Sequence, residues 1–262
     1  MITGRTDFAG TGIFAVRMID EKPPDVERME LPQLMVELVG VAGAGKSSLS
    51  RGLIQSDGRF VQGANLEVRK LRHMPFFFMN SIFLLPNLLR GSLSGRWFTW
   101  QEIKMMVYLQ GWHHVLERRS SSDRVVVLDQ GPVFQLAWLR HYDPGNFGSP
   151  DLGAWWDEML RRWATRLDLV IWLDAPDATL LSRIRGRTSW HVLKDMSEQE
   201  GLRFLAGFRR SYEEVITKFA AMGGPKVIRL NSNQNSSREI LDQALTHLGR
   251  WKPIEVASSR LK

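Results

Sequence analysis

Leu34-Met-Val-Glu-Leu-Val39-Gly40-Val-Ala-Gly-Ala-Gly45-Lys46-Ser47-Ser-Leu-Ser-Arg-Gly-Leu-Ile54 is the stretch on which the reading of the chain turns. An apolar run from Leu34 to Val39 ends in glycines, and a helix-forming stretch opens at Lys46 with Leu49, Leu53 and Ile54 on one face. That is strand, tight loop, helix. The loop matches G-x-x-x-x-G-K-[ST], the phosphate-binding P-loop, in the context the motif requires. Glycines allow backbone angles that turn successive N–H groups toward phosphate oxygens, and the helix N-terminus adds partial positive charge. Gly40, Ala42, Gly43, Ala44, Gly45, Lys46, Ser47 and Ser48 are therefore expected to cradle the phosphates of ATP. Lys46 would span the β and γ phosphates, and Ser47 would offer its hydroxyl to Mg²⁺.

Working outward, the apolar runs Val125 to Leu128 and Leu169 to Leu173 precede Asp129 and Asp174 and read as buried parallel strands. Segments 100–120, 131–142, 153–166 and 198–222 have the length and apolar spacing of crossover helices. Val227 to Leu230 is expected as the last strand. A closing helix over 237–249 follows, capped by Ser236 or Ser237, with Ile240, Leu241, Leu245 and Leu248 as its buried stripe. Arg59 to Gln62 and Asn65 to Arg69 compete for the second strand. Strands alternating with helices predict an α/β sandwich of three layers around a parallel sheet.

Asp129 ends a strand, at the edge where ligands bind in open α/β sheets. A hard dication keeps much of its hydration, so one carboxylate with Ser47 and the nucleotide phosphates suffices to hold it. Asp174 competes for this role, but Ala175-Pro176 after it suits a loop that caps the next helix, and Asp129 is preferred. Arg183 and Arg187 share a helical face while Arg185 points away. Guanidinium groups belong where phosphoryl transfer spreads negative charge, and a lid over about 183–197 would also exclude water. The catalytic set is read as Lys46, Asp129, Arg183 and Arg187, with Ser47 and Asp129 on the metal.

The 262 residues hold 35 Lys and Arg against 28 Asp and Glu, a formal charge of +7, and no cysteine. Absence of cysteine removes disulfides, thiolate zinc sites, iron–sulfur clusters and thiol nucleophiles, and makes the cytoplasm the expected compartment. The charge alone does not locate a nucleic-acid surface, since basic clefts concentrate any anionic substrate. Residues 1–33 sum to −2 and lack periodicity, so they read as a mobile leader; 34–250 form the domain and 251–262 a tail.

The P-loop at 40–47, Asp129-Gln130-Gly131, Leu173-Asp174-Ala175-Pro176, the arginines at 183–187 and the Tyr212-Glu213 region together resemble thymidylate kinases, and deoxyribonucleoside kinases similarly. The resemblance spans about 34–250, in motif order. It implies a P-loop NTPase fold with a five-stranded parallel sheet, ATP with Mg²⁺, an arginine lid, and a loop near the adenine at Leu230 to Ser236.

Such kinases carry Asp-Arg or Glu-Arg at the end of the middle strand, and here Gln130 stands in place of the arginine. A neutral amide cannot clamp a phosphate as a guanidinium fork does. The acceptor expected is thus a small hydroxyl compound, nucleoside-like or other, in a pocket shaped by Gln130 and Gln135. No Arg-Glu-Pro-Gly segment follows the second strand, which leaves Glu67 as the one candidate for an acceptor-side acid. A second departure is the apolar segment 74–89, with prolines at 75 and 86 and basic residues on both flanks. It is expected to be buried against the sheet or a second subunit in a homodimer, with peripheral contact to an anionic membrane, or cover for a greasy acceptor, as the alternatives. The leading reading is an ATP-dependent phosphotransferase. Its rivals are a kinase of a sugar or lipid-linked glycan precursor and a regulatory P-loop NTPase, although neither an Asn-Lys-x-Asp nor a Leu-Ser-Gly-Gly-Gln motif is present.

Overall fold

A computed structural model describes residues 34–63, 74–93, 97–117, 124–142 and 150–249. All of them lie in the compact unit Leu31–Lys262. The leader 1–33, the rival second strand Asn65 to Arg69 with Glu67, and the tail 251–262 fall outside the described residues.

Five strands, β1 (Leu34–Val39), β2 (Phe60–Gln62), β3 (Val125–Asp129), β4 (Leu169–Asp174) and β5 (Lys226–Asn231), form one sheet in the order β2-β3-β1-β4-β5. Every pairing is parallel, with Val36 opposite both Val127 and Leu169. β1 is central because Val36, Leu38 and Val39 are fully buried between helical layers, as the continuous apolar run requires. Strands β2 and β3 lie to one side of β1 and β4 and β5 to the other, so the crevice opens at its C-terminal end, where Gly40 begins.

Among the described residues, seven α-helices lie between these strands, α1 (Lys46–Ser56), α2 (Met74–Leu93), α3 (Trp100–Glu117), α4 (Pro132–Tyr142), α5 (Pro150–Ala164), α6 (Asp177–Arg185) and α7 (Glu198–Ala221), and α8 (Ser237–Gly249) follows the last strand. α1 packs with α8, while α4 and α7 pack together and are joined by α3 and α5. Reciprocal capping fixes several starts. Ser197 and Glu200 close a capping box at α7, Thr99 and Glu102 bond reciprocally at α3, and Ser236 with Glu239 does the same before α8. Ser236 is therefore the cap of the closing helix.

Trp163 and Trp172 anchor the core, and the Trp163 indole donates to the Leu109 carbonyl at 3.0 Å. Phe77, Tyr108, Trp112 and Trp163 run edge to face from α2 through α3 to α5. α2, expected to be buried against the sheet or a second subunit, packs one side on α3 and α5. Phe77 and Leu84 face α3 and α5, whereas Phe78, Met79, Ile82, Phe83, Leu85 and Leu89 are exposed. The helix is apolar all round but meets protein along a single stripe. Among the described residues, no helix is long and apolar enough to cross a membrane.

Candidate active site

The loop between β1 and α1 takes the shape its glycines permit. Gly40, Gly43 and Gly45 have φ of 141°, 88° and 100°, in the region that L side chains rarely adopt. Gly40 is also pressed against β4, where a Cβ would lie 2.3 Å from the Leu173 carbonyl oxygen. Gly40→Ala is expected to abolish nucleotide binding and lower stability by about 2 kcal/mol or more, through strain and collision together; calorimetry with ADP and a thermal melt would check both.

Gly45 caps α1 without any side-chain hydrogen bond, and no acidic residue occupies the first turn. The Ser48 N–H turns back to the Gly45 carbonyl at 3.1 Å, and no side chain caps the N–H groups before it, a helix end suited to an anion. Lys46 Nζ folds back over the loop and donates to the carbonyls of Gly40 at 2.7 Å and Val41 at 3.2 Å. Burial lowers its pKa to about 8, with Arg187 pushing the same way and Asp129 opposing. Ser47 Oγ donates to Asp129 Oδ2 at 2.9 Å. A hydroxyl and a carboxylate meeting at this helix start are the hard oxygen donors that Mg²⁺ takes, so the predicted metal pair fits the ion. Asp174 is occupied elsewhere: its Oδ1 accepts from Arg209 at 2.9 Å and from the Ala175 N–H. Arg209 also binds Asp177 at 2.5 Å, tying α7 to the start of α6.

Arg183 sits in the last turn of α6. It donates to the Ser232 carbonyl at 2.8 Å and to Ser232 Oγ at 3.2 Å. Arg183 and Arg187 line a cavity of about 420 Å³ together with Gly43 to Gly45, Ser48, Ser232 and Asn235. Arg185 turns away and donates to Met196, as its spacing predicted. Beyond Gly186 the chain continues as a loop with one 3₁₀ turn, Val192–Lys194, capped by His191.

A second cavity, of about 220 Å³, opens on the other side of the loop. Gly40, Val41, Ala42 and Lys46 form one wall, facing Gln130, Phe134, Trp138, His191, Phe208 and Tyr212. Gln130 holds a φ of 74°, the strained turn between β3 and α4. Gln135 does not line this cavity; it is buried in α4, and its Oε1 accepts no hydrogen bond among the described residues. His191 Nδ1 accepts from the Leu193 N–H at 3.2 Å, and burial, with Arg187 and Lys46 nearby, lowers its pKa, which favours the neutral ring.

Glu37 is the residue that the sequence reading passed over. It stands in the middle of β1, fully buried, and takes the N–H groups of Val133 at 2.8 Å and Phe134 at 2.9 Å at the start of α4. Gly131 is required there, since a Cβ would lie 2.5 Å from the Glu37 carboxyl carbon. Burial raises the pKa of Glu37 to about 8 against the pull of these N–H groups. Tyr212 is buried nearby, its phenol pushed well up by burial and then by the charges of Glu37 and Asp129.

The fold built on this parallel sheet is similar to that of solved structures. Deoxyadenosine kinase from M. mycoides with bound dATP superposes with a TM-score of 0.51 at 15% identity, covering 82% of this chain and 100% of that one. The chain has the fold of a deoxyadenosine kinase. The same enzyme with bound dCTP gives 0.49 at 16% identity, covering 82% and 99%. No family model and no curated protein matches the sequence. The five-stranded parallel sheet with helices on both faces, expected from the resemblance to P-loop kinases, is therefore present.

Proposed function

We propose that the chain is an ATP-dependent phosphotransferase that moves the γ phosphoryl group of ATP to the hydroxyl of a small, uncharged, ring-bearing acceptor such as a nucleoside. The observation that carries this reading is the position of the P-loop as a partition. Gly43 to Gly45 face the arginine-lined cavity, and Gly40 to Ala42 with Lys46 face the aromatic one. A donor and an acceptor bound on opposite sides would meet at Lys46. The bond between the γ phosphorus and the β–γ bridging oxygen breaks, ADP leaves with that electron pair, and the acceptor oxygen bonds to phosphorus. The loose transition state asks for little base catalysis, and the acceptor proton passes to solvent water as the new bond forms.

Each group has a part in this reading. Loop N–H groups and Lys46 hold the β and γ phosphates; Arg183 and Arg187 neutralise charge from the lid; Ser47 and Asp129 hold Mg²⁺, which when bound neutralises the phosphates further. Among the described residues lining the aromatic cavity, Lys46 is the one charged side chain, and in this reading it serves the donor. None of these described residues clamps an acceptor phosphate, whereas Phe134 stacked with Phe208 at 6.1 Å offers flat walls for a ring. The fold shared with a deoxyadenosine kinase supports a nucleoside as the acceptor.

A screen of nucleosides, nucleoside monophosphates and sugars for acceptor-stimulated ADP release tests the proposal. Free nucleosides are expected to stimulate release at least tenfold more than their monophosphates. Rapid hydrolysis independent of any acceptor would overturn it in favour of a regulatory NTPase.

A further inference from the structure

We infer that α2 is a membrane-docking helix whose exposed face lies on an anionic lipid bilayer, with the kinase fold held at the surface. Phe78 and Phe83 are 66% and 61% exposed, and Ile82, Leu85 and Leu89 continue the apolar face along the helix. Trp97, just before α3, is 89% exposed, and Trp100, its first residue, 63%. Large aromatic side chains this open to water cost free energy unless something covers them, and a contiguous apolar patch marks an interaction site. Tryptophan next to such a patch suits the headgroup level, where its apolar ring and polar N–H are both accommodated.

Charge selects the occupant. Between Val68 and Gln101 the sequence holds Arg69, Lys70, Arg72, Arg90 and Arg96 and no Asp or Glu. A second copy pairing through α2 would set five positive charges against five. A surface of anionic lipids is attracted by the same charges, and basic residues flanking an apolar helix add electrostatic attraction to its apolar contact with the bilayer. The helix lies on the bilayer rather than across it: Pro86 is within α2, and Asn80, bonded to the Phe76 carbonyl, packs on Gly111 of α3. The protein-facing side is thereby occupied, and the outward side is left for lipid.

The test uses the full chain and sedimentation with vesicles of phosphatidylcholine, with and without phosphatidylserine. Binding to the phosphatidylserine vesicles is expected to be at least tenfold stronger than to phosphatidylcholine alone, and to weaken at least tenfold when salt rises to about 0.5 M. Phe78→Ser with Phe83→Ser should weaken it at least tenfold without altering the thermal melt, because both side chains face solvent. Trp97→Ala is the independent variant and should remove most of the fluorescence blue shift on binding. Failure to bind phosphatidylserine vesicles at low salt would overturn the inference, whether the face is covered by residues 1–33 or by nothing. A dimer in sedimentation velocity that the double phenylalanine variant dissociates would overturn it too, and assign α2 to a second copy.

Discussion

Lys46→Ala is expected to lower kcat for phosphotransfer at least 10³-fold, about 4 kcal/mol of transition-state stabilisation, while the protein melts at or slightly above the wild-type temperature. The two halves of this result have one cause. Lys46 is held out of water, and burial lowers its pKa to about 8. In the free protein its ammonium is offset in part by the Gly40 and Val41 carbonyls and by the nearby charge of Asp129. Its removal relieves a desolvated charge, so stability does not fall with activity. Once triphosphate occupies the loop, the ammonium meets the anionic oxygens for which it is placed, and phosphoryl transfer depends on that charge more than on covalent chemistry. Steady-state kinetics with a saturating acceptor, paired with a melt of the free protein, measures both. Turnover near wild type would remove Lys46 from the site. A large fall in melting temperature would make it a structural residue.

What the sequence disclosed, and what it withheld, follows from the range of each interaction. The P-loop was legible because its conformational demands are local: three glycines at positive φ, a lysine and a serine must occupy fixed places in eight residues. β3, β4 and β5 were legible as short apolar runs ending in polar residues, and α8 as a stripe with its cap. Arg209 was not, because its partners Asp174 and Asp177 precede it by 35 and 32 residues and no spacing rule joins them. The aromatic cavity needs Phe134 and Trp138 from α4 to meet Phe208 and Tyr212 from α7, a juxtaposition set by packing. The composition of α2 stated how apolar it is, but not that α3 and α5 cover only one side. Glu37 did leave a local signal, a lone carboxylate inside a run destined for burial on both faces. A buried acid in that position requires hydrogen-bond donors from a neighbouring element, and the N-terminus of α4 supplies them.

Glu37 is also where stability should depend most on pH. An unfolded glutamate titrates at its ordinary 4.5, whereas burial in the fold moves Glu37 to about 8. Between those pH values the folded chain keeps a proton that the unfolded chain has lost. The stability contributed by that proton is complete below about pH 4.5 and is lost as pH rises toward 8, a contribution on the order of 5 kcal/mol. Urea melts of the wild type should therefore show a stability that declines from pH 5 to 8, and Glu37→Gln should flatten the decline. Glu37→Ala is expected to be worse at every pH, by about 3 kcal/mol, because it leaves the Val133 and Phe134 N–H groups buried without acceptors. The same variant should act on function through position alone. The start of α4 carries Phe134 and follows Gln130, both on the acceptor side of the partition, while Gly43 to Gly45, Arg183 and Arg187 lie on the donor side. KM for the acceptor should rise severalfold with KM for ATP unchanged. If both constants move together, Glu37 supports the fold as a whole and not the acceptor wall in particular.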